Sequence, residues 1–291
     1  MTGSTTGPRG TTATGTLDAV GVDHALVARR SRSWGWWFVA EHRIRAMRSY
    51  VASWIAISVG SPFLFLLGLG LGLGLLVDAN QGEQGVDGVP YLVFIAPALS
   101  MATAMQTAAQ ENTYGVFGGF KWFPMFFAMN GTPIGAAHIV LGFQVSVLVR
   151  VLLPLAAFSI VMVIFDIGDP LGALLLVPIG LLLAAAVGFA VMAWVSTQTE
   201  DRGQLSFVER FVVVPLTLFS GTYFPLETLP WFLHWIGWIS PLWHAAELGR
   251  SALYGAELAP AMALVHVGYL AALAGVTCWL SIRTFRRRLD K

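Results

Sequence analysis

Residues 134–165 read IGAAHIVLGFQVSVLVRVLLPLAAFSIVMVIF and contain one charged side chain, Arg150. A helix needs about 20 mainly apolar residues to cross the hydrocarbon core of a membrane, and this stretch is longer than that. Similar stretches recur along the chain. We predict six membrane-crossing helices, approximately at residues 51–77, 91–110, 134–165, 171–197, 207–224 and 260–282.

The composition of the whole chain agrees with this pattern. Of its 291 residues, 56% are apolar and 11% are charged, whereas an ordinary soluble domain has about 25% charged residues. Basic and acidic residues are nearly balanced at 17 and 16, so no net field attracts nucleic acid. Because lipid cannot satisfy backbone N–H and C=O groups, the crossings are expected to be helices. The sequence predicts an all-α, polytopic membrane protein and excludes a soluble enzyme.

Charged residues alternate between the two ends of the predicted crossings. Basic residues concentrate before the first crossing, after the second and fourth, and in the C-terminal tail. Since basic residues near crossings remain in the cytoplasm, we predict a multi-pass protein with both termini cytoplasmic. The opposite ends carry acidic residues, which are Asp78, Glu83, Asp87, Asp166 and Asp169.

The chain ends differ from the apolar region between them. Residues 1–33 begin with the Gly/Ser/Thr-rich run MTGSTTGPRGTTATGT, which cannot bury a core, and we predict a disordered cytoplasmic tail. Residues 34–50, WGWWFVAEHRIRAMRSY, mix aromatic and basic side chains. This mixture is typical of an amphipathic helix in the membrane interface, and a simple flank of the first crossing is the alternative. The transmembrane domain is then residues 34–282, and residues 283–291 form a basic cytoplasmic tail.

A glycine run, GLGLGLG, lies at residues 68–74 in the first crossing. A phosphate-binding loop of the Walker type requires Gly-Lys-Ser/Thr, and no Gly-Lys pair occurs in the chain. The chain is therefore not expected to bind ATP through such a loop. Small residues at four-residue spacing permit close helix packing, so this run is predicted to line a helix interface. The glycines are Gly68, Gly70, Gly72 and Gly74.

Few residues could carry chemistry. The six histidines show no paired metal-ligand spacing, Cys278 is the single cysteine, and no nucleophile-elbow motif occurs. We predict no catalytic residue, no metal site and no directly bound cofactor. His244 and Glu247 are three residues apart and are expected to share one helix face.

Arg150 is unusual because an arginine inside a membrane is costly and usually faces a cavity or a partner. Its position along the third crossing predicts a location in the outer half of the membrane. Three roles stay open: it extends to the outer interface, it pairs with an acid such as Glu247, or it lines a path for an anionic or polar head group. The pair with Glu247 is the working hypothesis.

Two segments are neither ordinary loops nor crossings. Residues 111–133 are too aromatic for a solvated loop and are interrupted by glycine and proline, which fits a short helix facing a cytoplasmic partner or an interfacial loop. Residues 220–255 divide into two short helical pieces, which are expected to begin near Thr228–Pro230 and at Ser240–Pro241. Neither piece has enough apolar residues to cross, so we predict a re-entrant hairpin from the outer face, with another pair of crossings as the alternative.

Four stretches of the sequence resemble the permease subunits of ABC-2-type exporters, in particular the NodJ-like lipooligosaccharide and DrrB-like drug-resistance branch. They are the glycine run, YLVFIAPAL at residues 91–99, the frame of Glu111, Tyr114-Gly115 and Thr132-Pro133, and LFSGTYFPLETLPWFLHWIGWISPLWHAAELGRSALYG at residues 218–255. The last stretch is the most specific. Together the four span most of residues 34–282.

The resemblance implies a function as well as a fold. It implies a permease of a bacterial plasma membrane exporter that moves a lipid-linked, glycolipid or hydrophobic drug-like substrate. A second permease, identical or homologous, and a separate cytoplasmic ATPase holding ATP and Mg would complete the exporter. A coupling helix at residues 115–128 would dock into that ATPase. The residues of this coupling region are Glu111, Tyr114, Gly115, Phe117, Phe120, Lys121, Thr132 and Pro133.

The resemblance also implies that residues 34–50 are the family's connecting helix and that residues 226–254 are its extracellular re-entrant hairpin. The glycine run and Arg150 are candidates for the pathway or the permease interface. From the residues alone, an ATP-independent channel or a membrane assembly factor is the alternative. The hairpin residues are Pro225, Pro230, Pro241, His244, Glu247 and Arg250.

Overall fold

The computed structural model describes residues 24–81 and 85–291, and the regular elements in these ranges are helices. The first 23 residues of the predicted disordered tail lie outside the described residues, as does Glu83. The α-helices are α1 (His24–Met47), α2 (Val51–Phe65), α3 (Gly74–Gln81), α4 (Tyr91–Phe120), α5 (Met125–Asn130), α6 (Ala136–Ile164), α7 (Pro170–Val195), α8 (Gln204–Val208), α9 (Val214–Phe219), α10 (His234–Ile239), α11 (Pro241–Tyr254) and α12 (Pro260–Leu289).

Five helices in the described ranges are long and apolar enough to cross a membrane. They correspond to the first, second, third, fourth and sixth predicted crossings. The most apolar part of α4 is 72% buried and that of α12 only 17%, so α4 lies at the centre of the bundle and α12 at its edge. The five helices are Ser33–Asn80, Tyr91–Phe120, Ala136–Ile164, Pro170–Val195 and Pro260–Leu289.

The fifth predicted crossing, residues 207–224, is a shorter helix. Helical structure runs from Gln204 through a π-helical segment to Phe219, which is about 24 Å and less than a membrane core requires. The two ends of the predicted crossing, residues 207–224, nevertheless meet distant parts of α4. Gln110 donates a hydrogen bond to Glu209 at 3.2 Å, and the Tyr91 hydroxyl donates to the Tyr223 carbonyl at 3.1 Å. The segment therefore runs beside most of the length of α4.

The first long helix differs from its prediction at the N-terminal side. It begins at His24, so the last part of the predicted tail is helical, and it is continuous from Ser33 to Asn80. Residues 34–50 are helical, continue directly into the first crossing and lie along α6, so they do not form a helix that is separate from this crossing. The reason is a close helix contact, because a Cβ atom at Gly142 would lie only 2.2 Å from the Trp36 carbonyl oxygen.

The second crossing is also longer than predicted, since α4 continues past Gln110 to Phe120. The extra turns contain glycines, which disfavour helix, but packing offsets this preference. A Cβ atom would lie 2.8 Å from the Phe143 ring at Gly115 and 2.4 Å from the Phe126 ring at Gly119. The predicted coupling helix at residues 115–128 is therefore the last part of α4, a turn, and the short helix α5.

Contacts define two ends of the bundle. At one end, which we call the α5 end, α4 terminates and its Phe120 ring lies 4.9 Å from Phe285 of α12. At the other end, which we call the α11 end, the Asp169 amide before α7 donates to the Leu253 carbonyl of α11 at 2.7 Å. Chain direction alternates between these ends in α4, α6 and α7. The predicted tail at residues 283–291 is mostly the last part of α12, which ends at Leu289.

The segment before α12 forms short helices, as predicted, with one corrected start. The Ser240 hydroxyl accepts a hydrogen bond from the Leu242 amide at 3.2 Å, and Pro241 occupies the first turn of α11. The preceding piece does not begin at Thr228, which ends a 3₁₀ turn and donates to the Pro225 carbonyl at 2.7 Å. A second 3₁₀ turn follows Pro230 and leads directly into α10.

Candidate functional site

Arg150 of α6 forms an ion pair with Glu111 of α4, at 3.0 Å between Nη1 and Oε2. The predicted pair with Glu247 is wrong, because Glu247 pairs with Arg250 at 2.7 Å at the α11 end. Glu111 lies about 14 Å along α4 from Phe120, so the Arg150 pair is nearer to the α5 end than to the α11 end. An ion pair lowers the cost of holding both charges away from water.

Aromatic side chains of the first helix lie beside this pair. The Tyr50 hydroxyl accepts a hydrogen bond from Arg150 at 3.4 Å, and the guanidinium carbon lies 5.2 Å from the Tyr50 ring centre. The Trp54 ring centre is 6.0 Å away. Since Tyr50 and Trp54 are four residues apart, they share one helix face and form an aromatic wall next to the cation.

A cavity of about 390 Å³ opens between α2, α4 and α6 around the ion pair. Most of the side chains that line it can form hydrogen bonds. On α4 they recur at spacings of three and four residues, so they form one polar face of a central helix. The polar lining consists of Tyr50, Ser53, Trp54, Ser58, Thr103, Gln106, Thr107, Gln110, Glu111 and Arg150.

A second, apolar cavity of about 210 Å³ lies between the same three helices nearer the α11 end. It is lined by Phe63, Leu66, Leu67, Leu92, Val161, Phe165 and Ile167. One cavity beside α4 thus offers hydrogen-bonding groups and the other offers only hydrocarbon, and we call the two cavities together the groove.

Arg43 adds a second guanidinium near the pair. Its Nε donates to the Ser146 hydroxyl at 2.9 Å, and its guanidinium carbon lies 3.8 Å from the centre of the Phe143 ring. Gly115 lies beside both groups: a Cβ atom there would lie 2.8 Å from the Phe143 ring and 3.4 Å from Nη2 of Arg43, so the ring is the contact that an added side chain would disturb.

The α5 end exposes aromatic side chains beside Lys121. Trp122 is 53% and Phe123 77% exposed, although both are large and apolar. Exposed aromatic residues outside the long helices are typical of a surface that binds a partner. Phe117 and Phe120, in contrast, are buried, so they cannot contact a partner directly. We define the docking segment as residues 121–132, which includes Lys121 and the exposed Thr132. Of the other predicted coupling residues, Glu111 and Gly115 are half-buried, and Tyr114 and Pro133 are exposed.

The predicted hairpin residues have structural partners at the α11 end. Arg250 is 3% exposed, donates to Glu247 and to the Gly221 carbonyl, and lies 4.1 Å from the Phe94 ring centre. The Nδ1 atoms of His244 and His266 are 2.6 Å apart, so one of the two rings donates to the other. His244 and Glu247 thus share α11 but have different partners. Pro225, Pro230 and Pro241 each precede or begin a helical turn.

The glycine run divides into two faces. Gly70 and Gly74 are buried, and a Cβ atom at Gly70 would lie 2.3 Å from Leu92. Gly68 and Gly72 are exposed, with nothing within 4 Å of such an atom. The predicted close packing is therefore present on one face, and the other face is open.

Sequence reasoning missed several residues of the site. Arg43 and Tyr50 lie in the segment predicted as an interfacial helix or a flank, and Trp54 lies in the predicted first crossing, but none of the three was predicted as a site residue. The polar face of α4 was not recognised. Its three- and four-residue spacing of Thr103, Gln106, Thr107 and Gln110 was a usable signal. No local signal connects Arg150 to Glu111, because the two residues are far apart in the chain.

Comparison with known proteins gives the same family as the motifs. The model of the ABC-2 type transporter family matches residues 37–254. Nodulation protein J of Rhizobium meliloti (strain 1021) is 26% identical over 265 residues, which are 91% of this chain and 97% of the relative. Nodulation protein J of Neorhizobium galegae is 28% identical over 206 residues, 71% of this chain and 78% of the relative. No match to a solved structure was found.

The family match includes α4, the ion pair, the docking segment and all of α11. The five long apolar helices agree with a multi-pass membrane protein. The chain therefore belongs to the ABC-2 type transporter family and is a membrane permease, a transport protein rather than an enzyme.

Proposed function

We propose that this chain is the permease subunit of an ATP-binding cassette exporter that moves an amphipathic molecule, such as a lipid-linked sugar, a glycolipid or a hydrophobic drug, out of the cell. The observation that carries the proposal is the groove between α2, α4 and α6. One of its cavities contains the Glu111–Arg150 pair among other side chains that can form hydrogen bonds, and the apolar cavity lies farther along the same helices. A polar head and an apolar tail would each find a matching surface.

The energy would come from a separate ATPase subunit that holds ATP and Mg. The chain has no Gly-Lys pair for a Walker loop, which supports a motor on another chain. The docking segment is the surface that we assign to this partner, because Trp122 and Phe123 are exposed beside Lys121. Buried Phe120 would act from behind this surface, not through direct contact.

Closure of the ATPase would push the docking segment toward the bundle. Since α4 is one helix from Tyr91 to Phe120, a displacement at its end would also move Glu111 and the polar face of the cavity. The groove would then have two states with different partner contacts, which is the requirement for allosteric coupling.

The proposed topology has six crossings in a bacterial plasma membrane, with the α5 end and both termini in the cytoplasm. It is supported by Lys121 and by the arginines of the last turn of α12, which lie together at the α5 end. Gln204–Phe219 would supply the fifth crossing together with the non-helical residues that follow it. The short helices between α9 and α12 would form the re-entrant hairpin on the outer side.

A second permease, identical or homologous, would complete the pathway. The exposed face of Gly68 and Gly72 is the surface that we assign to this contact, because small residues permit close approach of another helix.

The proposal is tested by purifying the tagged permease from its own membranes and identifying the proteins that come with it. We expect an ATP-binding cassette ATPase, and we expect the double variant Trp122→Ala/Phe123→Ala to reduce its recovery at least about tenfold. Trp231→Ala/Phe232→Ala is the matched control, since these neighbouring aromatics are 84% and 55% exposed but belong to the α11 end.

The groove is tested with the purified complex in liposomes. ATP should drive movement of an NBD-labelled glucosylceramide or a rhodamine dye, and Glu111→Arg should abolish it. The double variant Glu111→Arg/Arg150→Glu, which restores the pair in reverse, should regain transport. Movement of either probe, or ion conduction, by the permease without nucleotide would instead identify a channel.

A further inference from the structure

We propose that Phe285 and Arg288, in the last turns of α12, are positioning residues that transmit movement of the docking segment to α7 and α12. This inference rests on the proposed function, because it assigns the docking segment to an ATPase. It gives a mechanical role to residues that sequence alone places in a basic cytoplasmic tail.

Phe285 connects α12 to both sides of the docking segment. It is 0% exposed, and its ring centre lies 4.9 Å from that of Phe120 at the end of α4 and 5.5 Å from that of Phe126 in α5. Phe126 in turn lies 5.9 Å from Phe143 of α6. Close-packed rings cannot be compressed, so an inward movement of α5 must displace α12 or α6.

Arg288 joins the same cluster to the end of α7. Its guanidinium carbon lies 4.0 Å from the centre of the Phe120 ring, and its Nη1 donates to the Ser196 carbonyl at 2.9 Å. The last carbonyls of a helix lack partners within the helix, and a cation is favourable there. A planar guanidinium can stack on a ring while its edge donates to a carbonyl, whereas an ammonium has no planar group to stack.

Two hydrogen bonds from hydroxyl groups join α12 to α7 just before Phe285 and Arg288 in the sequence. Ser281 donates to the Phe189 carbonyl at 2.7 Å, and Ser196 donates to the Thr284 hydroxyl at 2.7 Å. The cytoplasmic parts of α7 and α12 are therefore held together, and the ring cluster is their contact with the docking segment.

The geometry separates an outer and an inner side of the docking segment. Trp122, Phe123 and Phe127 are exposed, whereas Phe126 is 1% exposed and faces the ring cluster. Force applied to the exposed side would reach Phe120 and Phe126 first. Phe285 and Arg288 are next in the chain of contacts, so their loss should uncouple transport from ATP hydrolysis without preventing assembly.

The first test measures the coupling ratio of the purified permease–ATPase complex in liposomes, with NBD-glucosylceramide and a rhodamine dye as probes. For Arg288→Gln, we expect ATPase recovery and hydrolysis within about twofold of the parent and transport per ATP reduced about tenfold. Arg287→Gln removes the same charge from an exposed neighbour and should leave the ratio unchanged. Phe285→Leu should resemble Arg288→Gln, and Arg288→Lys should recover only part of the ratio.

The second test needs no ATPase. Amide hydrogen exchange of the permease alone in nanodiscs should become faster in residues 121–130 of Arg288→Gln and should not change in Arg287→Gln. An unchanged exchange rate and an unchanged coupling ratio in Arg288→Gln would each overturn the inference. If Arg288→Gln fails to insert, Arg288→Lys carries both tests, because it keeps the charge and removes the planar group.

Failure of the proposed function has a different signature. In that case the parent chain would recover no ATPase and would show no nucleotide-dependent transport. The exchange experiment would still decide whether Arg288 holds the docking segment in place.

Discussion

Gly142 determines how α1 and α6 approach each other. An alanine there would place Cβ 2.2 Å from the Trp36 carbonyl oxygen and 2.7 Å from Cβ of Val39. The first of these atoms belongs to the backbone, so relief requires a shift of one whole helix. Overpacking of this kind costs about 1–3 kcal/mol. At the scale of single residues, this contact is the reason that residues 34–50 lie along α6.

We therefore predict that Gly142→Ala lowers the midpoint of thermal unfolding and that Gly275→Ala does not. Gly275 of α12 is the matched control, because a Cβ atom there would have nothing within 4 Å. Alanine also has the higher helix propensity, so the control should be neutral or slightly stabilised. Thermal unfolding in one detergent, followed by the monodisperse fraction after heating, measures both variants. Equal midpoints would contradict the packing that we describe between α1 and α6.

A contact between the residues after α9 and the start of α11 fixes the position of α11 relative to α9. The Ser220 hydroxyl, just after α9, donates to the Ser240 hydroxyl at 2.6 Å, and both residues are 0% exposed. Replacing both with cysteine in a Cys278→Ser background should give a disulfide, because the two side chains already meet. We expect the bond after treatment with copper phenanthroline, detected by protection from a PEG-maleimide in denaturant.

The negative control for this experiment is the double variant Ser220→Cys/Ser251→Cys. Ser251 also belongs to α11 but lies about 16 Å along the chain axis from Ser240, so no bond should form. Equal protection in the two pairs would mean that α11 does not hold one position relative to α9.

The helices and their contacts show how much of the fold and of the site could be predicted from the sequence. Apolar length identified the long helices, and the local pair Ser240–Pro241 identified the start of α11. Periodicity cannot show which face of one helix meets another, so Arg150 was assigned to Glu247 instead of Glu111. The last turns of α4 were missed because Gly115 and Gly119 resemble helix breakers, and only their neighbours Phe143 and Phe126 explain the helix.

The number of membrane crossings in the molecule depends on the path that the chain takes between α7 and α12. α7 ends at the α5 end, where Ser196 meets Arg288, and α12 begins at the α11 end. Residues 196–259 must therefore pass from one end of the bundle to the other. The helix Gln204–Phe219 is too short to do so alone. Glu209 inside it contacts Gln110, and Tyr223 after it contacts Tyr91, so the helix and the residues that follow it together cover the distance.

Single cysteines in a Cys278→Ser background test this path, because their labelling shows which side of the membrane each residue faces. We expect Glu257→Cys to react with a membrane-impermeant maleimide on intact cells, because residue 257 is exposed at the α11 end. Gly131→Cys, Asp201→Cys and Lys291→Cys should react only after permeabilisation, because the topology that we propose places the basic α5 end in the cytoplasm. The Cys278→Ser parent should not react under either condition. Labelling of residues 201 and 257 from the same side would leave only five crossings, and the α7–α12 connection would then need a different path.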